Sequence, residues 1–90
     1  MKYHQQHAVD LLQPVHLVLV QVAVLKLYAD QFPEKEDAAE RLYDAAELYN
    51  DELNNKQAAI DTYHEVVSKF PNSKYAEKSK DSIEDLAEEK

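Results

Sequence analysis

The apolar positions of this chain fall into four blocks separated by proline and asparagine. Leu11, Val15, Val18, Val22, Leu25, Ala29 and Phe32 recur at alternating steps of four and three, which traces one stripe of a helix. Leu12, Leu19, Ala23 and Leu27 widen the stripe. The stretch LVLVQVAV also has a partial period of two and the valine content of a strand. The helical stripe persists for 22 residues, whereas strands rarely exceed ten, so the pattern predicts a helix. That helix begins either at Pro14, as its first helical residue, or at Asp10 with a kink.

Phe32-Pro33 and Phe70-Pro71 each read as a helix end, because a residue before proline is biased out of the helical region. Between them, Leu42, Ala45, Ala46 and Tyr49 share a face that Ala38, Ala39 and Leu53 extend. Glu34, Glu36 and Asp37 lie in the first turn of this helix, where acids suit the helix dipole. Asn50, Asn54 and Asn55 mark a turn. Ala59, Ile60, Tyr63, Val66, Val67 and Phe70 form the third apolar block. The fourth follows Pro71, with Asn72 or Ser73 as its cap and Tyr75, Ala76, Ser79, Ile83 and Leu86 on a thinner face.

These patterns predict an all-α chain of four helices, near residues 14–31, 35–52, 56–70 and 73–88. Neighbours are antiparallel helix–turn–helix units joined by loops of two to six residues. One domain is expected: a polar flexible end over 1–13, a hydrophobic helix over 14–33, a helix pair over 34–71 and a last helix over 72–90. The predicted core is Val18, Val22, Leu25, Leu42, Ala45, Ala46, Tyr49, Ala59, Tyr63 and Val66.

Composition narrows the chemistry. The 90 residues fit one small domain. The chain has no glycine, which removes glycine-rich phosphate loops and nucleotide fingerprints. It has no cysteine, which removes disulfides, thiol catalysis and cysteine–zinc sites. The net charge is −8, all of it in residues 34–90, where sixteen acids face eight bases. Such a surface repels phosphate backbones and anionic lipid, so neither nucleic acid nor a membrane surface is an expected partner. The uncharged run from Leu11 to Leu25 is fifteen residues, short of the roughly 20 a spanning helix needs. A secretory signal would use Lys2, an apolar stretch over 17–25 and cleavage near Leu27-Tyr28-Ala29. The acidic Asp10, the polar KYHQQH start and a helical pattern that runs through the cleavage point favour a structural helix.

Candidate catalytic groups are sparse. His4 and His7 stand at i, i+3 in a polar end, and His16 lies beside the Leu12–Leu19 stripe. Asp61 and His64 have the D-x-x-H spacing of carboxylate-bridged metal bundles, but those need a second such motif and two further inward carboxylates. Ser68, Ser73, Ser79 and Ser82 have no histidine placed to activate them. The carboxylates alternate with lysines along helix faces, as at Glu77, Lys78, Lys80, Asp81 and Glu84, which is the pattern of a solvated surface. No enzyme activity, cofactor or metal is expected.

The two Phe-Pro pairs are 38 residues apart. Under that shift Ala38 meets Ala76, Ala45 meets Ile83, Leu48 meets Leu86 and Leu25 meets Tyr63, which suggests an internal repeat. Leu42, Ala45, Ala46 and Tyr49 have the spacing of the first helix of a tetratricopeptide repeat. Ala59, Tyr63, Val66 and Pro71 have that of its second helix. Over about residues 25–87 the chain resembles that family. The stretch YHEVVSKFPNSKYAEKSKDSIEDL is most similar to bacterial envelope members, among them the barrel-assembly lipoprotein and periplasmic coordinators of cell-wall work, which share a Y-x-x-V-x-x-x-(F/Y)-P-x-S-x-Y-A phrase. The sequence departs from the family in a turn one residue longer and in the absence of glycine at the small position.

The resemblance implies a protein–protein interaction scaffold, periplasmic if the envelope likeness holds and otherwise cytoplasmic. It also implies an inner surface at Glu40, Tyr43, Glu47 and Asn50, continued under the 38-residue shift by Lys78, Asp81, Asp85 and Glu88. Family members that clamp a terminal carboxylate use lysines and asparagines there. This set is acidic, so a basic or amphipathic protein or peptide is the better electrostatic match.

The N-terminal helix raises a different possibility. Six of the eight valines and six of the ten leucines lie in residues 9–27. A helix that is apolar on most sides needs cover from two directions. This predicts a homo-oligomer, a dimer in the simplest case, through Leu11, Val15, Val18, Val22 and Leu25. The chain would then be a self-associating helical bundle with no separate ligand.

Overall fold

The structure is a computed structural model that describes residues 15–88. It contains four helices: α1 (Val15–Gln31), α2 (Ala38–Asp51), α3 (Lys56–Lys69) and α4 (Lys74–Glu88). They follow one another as antiparallel hairpins, α1 on α2, α2 on α3 and α3 on α4, with a smaller contact between α2 and α4. The described residues form a slab of 54 × 33 × 15 Å with no strand among them. The helical period in 15–25 therefore prevails over the period of two, because one face of α1 can bury against α2 only at helical spacing. The helix runs unbroken through Leu27-Tyr28-Ala29, and Ala29 is buried. No helix among the described residues is long and apolar enough to cross a membrane. The predicted flexible end at 1–13, and with it His4, His7 and Leu11, lies outside the described residues.

The two Phe-Pro turns have the same hydrogen-bond pattern. Phe32 N–H donates to the Tyr28 carbonyl (2.9 Å), Lys35 N–H to Phe32 and Ala38 N–H to Lys35 (both 3.1 Å). Thirty-eight residues on, Phe70 donates to Val66 (2.9 Å), Ser73 to Phe70 and Ala76 to Ser73 (both 3.1 Å). Ala38 and Ala76, which end the two series, are both buried. The spacing seen in sequence is thus a spacing of backbone geometry.

This turn explains why α2 starts at Ala38 instead of near residue 35. The residues after Pro33 are spent on the turn. Asp37 takes the N-cap place, yet its carboxylate does not cap the helix. It accepts a 2.7 Å bond from the Tyr28 hydroxyl of α1. The hydroxyl lowers the Asp37 carboxyl from its ordinary value by stabilising the anion, and the same bond raises the Tyr28 phenol. In α4 the cap is Ser73, whose Oγ accepts from Ala76 N–H at 3.2 Å. In α3 it is Asn55, which accepts from Ala58 N–H at 3.1 Å. Lacking glycine, the chain ends α2 with Asn54 in the left-handed region, φ 53°. Leu53 N–H reaches back to the Leu48 carbonyl at 3.1 Å and Asn55 N–H to the Tyr49 carbonyl at 2.8 Å, so the hydrogen-bonded loops widen as the helix ends.

The core has two connected centres. Ala46, Ala59, Tyr63 and Leu86 join α2, α3 and α4. Ala29, Leu42 and Val66 join α1, α2 and α3. Alanines at 45, 46 and 59, all at 0% exposure, let the helix axes approach, and the tyrosines fill the space beside them. Eight of the ten predicted core residues are buried. Leu25 and Tyr49 are only half-buried. Leu25 lies at the edge of the side of α1 that meets α2, and the Tyr49 ring sits 5.9 Å from the Lys26 ammonium at the edge of the helix pair.

α1 is the incompletely covered element. Val18, Val22 and Ala29 are buried on its α2 side. Val15, Leu17, Leu19, Val20, Val24 and Leu27 are 46–60% exposed. Its two charges lie along one edge and pair with α3: Lys26 Nζ to Glu65 at 3.7 Å and Asp30 to Lys69 Nζ at 3.0 Å. The Asp30 carboxylate raises the Lys69 ammonium above its ordinary value.

Candidate functional site: two grooves beside α2

Two concavities flank the exposed side of α2. The inner one, about 250 Å³, lies between α2 and α4 over the Tyr63 ring of α3. Glu47, Asn50 and Asp51 form one wall, and Ser82, Asp85 and Leu86 the other. The second, about 580 Å³, lies between α1 and α2. Val20, Gln21, Val24 and Leu25 form its uncharged wall. Arg41, Asp44, Glu47, Leu48, Asp51 and Glu52 form the other. Glu47 and Asp51 are the ridge between the two grooves.

The structure brings together only part of the predicted inner surface. Glu47, Asn50 and Asp85 meet in the inner groove. Tyr43 stands beside it, its ring 5.5 Å from Tyr63 and 5.4 Å from Tyr75. Partial burial, and next the Glu47 carboxylate, raise the Tyr43 phenol. Burial pushes Tyr63 up to about 12. Both phenols therefore stay neutral donors at physiological pH. Glu40 lies apart, 3.4 Å from Arg41. Lys78 is exposed, its ammonium 5.8 Å from the Tyr75 ring. Asp81 and Glu88 are exposed and line neither groove.

Sequence reasoning missed Asp51, Tyr63, Ser82 and Leu86 as groove residues. The 38-residue shift fixes the turn but not the roll of α4 about its axis. Ala76, Ser79 and Leu86 set that roll by being buried, which swings Ser82 towards α2 and Asp81 away. The thin apolar face of α4 was the available signal, since its 76–79–83–86 line runs beside Ser82.

The residues named for self-association fall on different sides of α1. Val18 and Val22 are 2% exposed, on the side facing α2. Val15 is 60% exposed, Leu25 is half-buried and Leu11 is outside the described residues. The surface open to a second chain is instead Leu19, Ala23 and Leu27 with Leu17, Val20 and Val24.

The D-x-x-H pair is exposed, and Asp61 accepts a 3.0 Å bond from the Gln57 amide. His16 is exposed on α1. Among the described residues no cluster of three or more histidines and carboxylates is placed to hold a metal ion. Arg41 is enclosed by acids, with Asp44 at 3.0 Å and Asp37 at 3.7 Å. Desolvation raises the Asp44 carboxyl despite that guanidinium. Compared with protein-family models, curated proteins and solved structures, the chain has no match.

Proposed function

We propose that this chain is a non-catalytic protein-interaction module of the helical-repeat type, whose inner groove takes a basic or amphipathic peptide. The observation that carries this reading is the meeting of Glu47, Asp51 and Asp85 with the Asn50 amide and two hydroxyl-bearing side chains, Tyr63 and Ser82, in one cleft. Carboxylates from two helices face a single narrow space, where a lysine or arginine side chain relieves their mutual repulsion. Asn50, Tyr63 and Ser82 add hydrogen-bonding capacity along the cleft. The test is fluorescence anisotropy with a labelled peptide of alternating lysine and leucine and with its glutamate counterpart. The lysine peptide binds saturably and releases on raising salt, the glutamate peptide does not bind, and Glu47→Lys with Asp85→Lys abolishes binding. Equal binding of both peptides, or binding unchanged in the double variant, refutes the reading.

A second reading, self-association, is favoured by the uncharged apolar face of α1 in a chain of net charge −8. Two such acidic chains meet with least repulsion along that face. Leu19→Asp with Leu27→Asp tests it, because both positions are exposed and the fold does not depend on them. A compact 10.4 kDa monomer of the wild type at high concentration rules this reading out.

A further inference from the structure

The 38-residue spacing makes α1 and α3 equivalent, and the equivalence gives the α1–α2 groove a meaning of its own. Val20, Gln21, Val24 and Leu25 stand 38 residues before Ala58, Ala59, Thr62 and Tyr63. In α3, Ala59, Thr62 and Tyr63 are 0–3% exposed. Ala59 and Tyr63 pack against Ala46, Tyr43 and Tyr49 of α2, with Leu86 of α4 closing the far side. In α1 their counterparts are open: Gln21 is exposed, Val24 is 59% exposed and Leu25 is half-buried, while Val20 is 54% exposed where Ala58 is half-buried. What α2 does for α3, nothing among the described residues does for α1. The vacant volume is about 580 Å³, and its walls are the flanks of two antiparallel helices, which is the shape that receives a third.

The chemistry of the walls selects among helices. The α1 wall is uncharged. The α2 wall sets Asp44, Glu47, Asp51 and Glu52 against Arg41 alone. A helix lying here touches valine and leucine on one side and a row of carboxylates on the other. We infer that this groove is the docking site for an amphipathic helix of a partner protein, with an apolar stripe of small residues on α1 and lysine or arginine along the flank that faces α2. It is a separate site from the inner groove: it is reached from the other side of the Glu47–Asp51 ridge and uses α1 where the inner groove uses α4. A helix seated in a groove through an apolar stripe and flanking charges is a recurrent mode of peptide recognition.

The partial burial of Asp44 agrees with this assignment. Its carboxyl is partly desolvated beside Arg41, and an incoming cation would offset, by attraction to the anion, the burial that raises it. The dimensions also fit. The α2 wall runs from Arg41 to Glu52, about three turns, so an occupant of about three turns matches its length.

The test uses the full chain and a labelled synthetic peptide patterned on α2, the helix that fills the equivalent place on α3. The peptide keeps the apolar residues of positions 38, 39, 42, 45, 46 and 49 and carries lysine in place of Glu40, Asp44, Glu47 and Asp51. It binds saturably, at least tenfold more tightly than the version with the native acids. Val24→Lys weakens it at least tenfold, because that position is exposed in the free chain and lines the apolar side of the groove. Asp44→Lys with Glu52→Lys reverses the preference between the two peptides. Asn50→Lys with Asp85→Lys, which blocks the inner groove, leaves it bound, so the two sites fail independently. Absence of saturable binding, or binding indifferent to Val24→Lys, overturns the inference. Two other results also overturn it by giving the groove another occupant: a wild-type dimer that Val24→Lys converts to monomer, or nuclear Overhauser contacts in the free chain between residues 1–13 and the Val24 methyls.

Discussion

Replacing Leu42 with alanine probes the packing on which both grooves depend. Leu42 is 0% exposed and packs with Ala29 of α1 and Val66 of α3, so it ties three helices at one point. Deleting a buried leucine side chain costs the lost transfer free energy and leaves a cavity, together about 2–5 kcal/mol. The helices here are already spaced by alanines, at Ala38, Ala45 and Ala46, and have little room to close further. The expected loss is therefore about 3 kcal/mol or more. At roughly 0.05–0.15 kcal/mol per residue the whole chain has about 5–13 kcal/mol of stability, so this one change removes a quarter or more of it. At about 4–8 °C per kcal/mol the melting temperature falls by about 12–24 °C. The measurement is urea unfolding followed by circular dichroism at 222 nm, with Leu27→Ala in α1 as the control at low micromolar concentration. Leu27 is 57% exposed, and its truncation changes stability by less than about 0.5 kcal/mol. Equal losses in the two variants would refute the core assignment, and with it the position of α2 between α1 and α3.

Ala59→Glu places a carboxylate at a position of 0% exposure, between Ala46, Tyr63 and Leu86; it abolishes the cooperative thermal transition, and wild-type-like melting contradicts the close approach of α2 and α3. Ser79 Oγ is buried without a hydrogen-bond partner among the described residues, so Ser79→Ala raises stability by about 0.5–1 kcal/mol in urea titrations, and a loss of that size shows the hydroxyl to be paired. Tyr28→Phe releases the Asp37 carboxyl, whose titration by NMR moves up towards the ordinary carboxylate value. Because Asp37 is depressed and Tyr28 raised in the fold, the contribution of their bond is fully present between about pH 4 and pH 10 and is lost as pH falls through the folded Asp37 value or rises towards that of Tyr28; a stability difference between wild type and Tyr28→Phe that persists unchanged in acid contradicts the bond.

The four helices were legible because their signals are local. Phe32-Pro33 and Phe70-Pro71 stop two of them, the asparagines at 50–55 stop a third, and the buried faces repeat at helical spacing. What was not legible depends on partners distant in sequence. Nothing in Asp37 itself tells that its carboxylate serves Tyr28 instead of its own helix, since both roles need only an exposed acid at the same place. Val18 and Val22 belong to the same stripe as Val15 and Leu25, and the sequence alone does not say which part of a stripe wide enough for two neighbours the chain itself covers. In the structure the 18–22–29 line goes to α2, Val15 at the end of the stripe is exposed, and the opposite 20–24–27 line is left open. For the inner groove, Glu47 and Asn50 follow from the register of α2, which its alanines fix. Asp81 and Lys78 were placed there by the 38-residue shift, which does not fix the roll of α4; the buried Ala76, Ser79 and Leu86 do.

The claim that this chain works by binding a basic segment beside α2 is tested most directly by chemical-shift mapping of the ¹⁵N-labelled protein titrated with the lysine–leucine peptide. The account predicts saturable shifts concentrated at Tyr43, Glu47, Asn50, Tyr63, Ser82 and Asp85, with Lys56, Lys74 and Lys80 unmoved, and their loss in the Glu47→Lys, Asp85→Lys variant. Shifts scattered over the acidic surface in proportion to charge, or none at millimolar peptide, would contradict it.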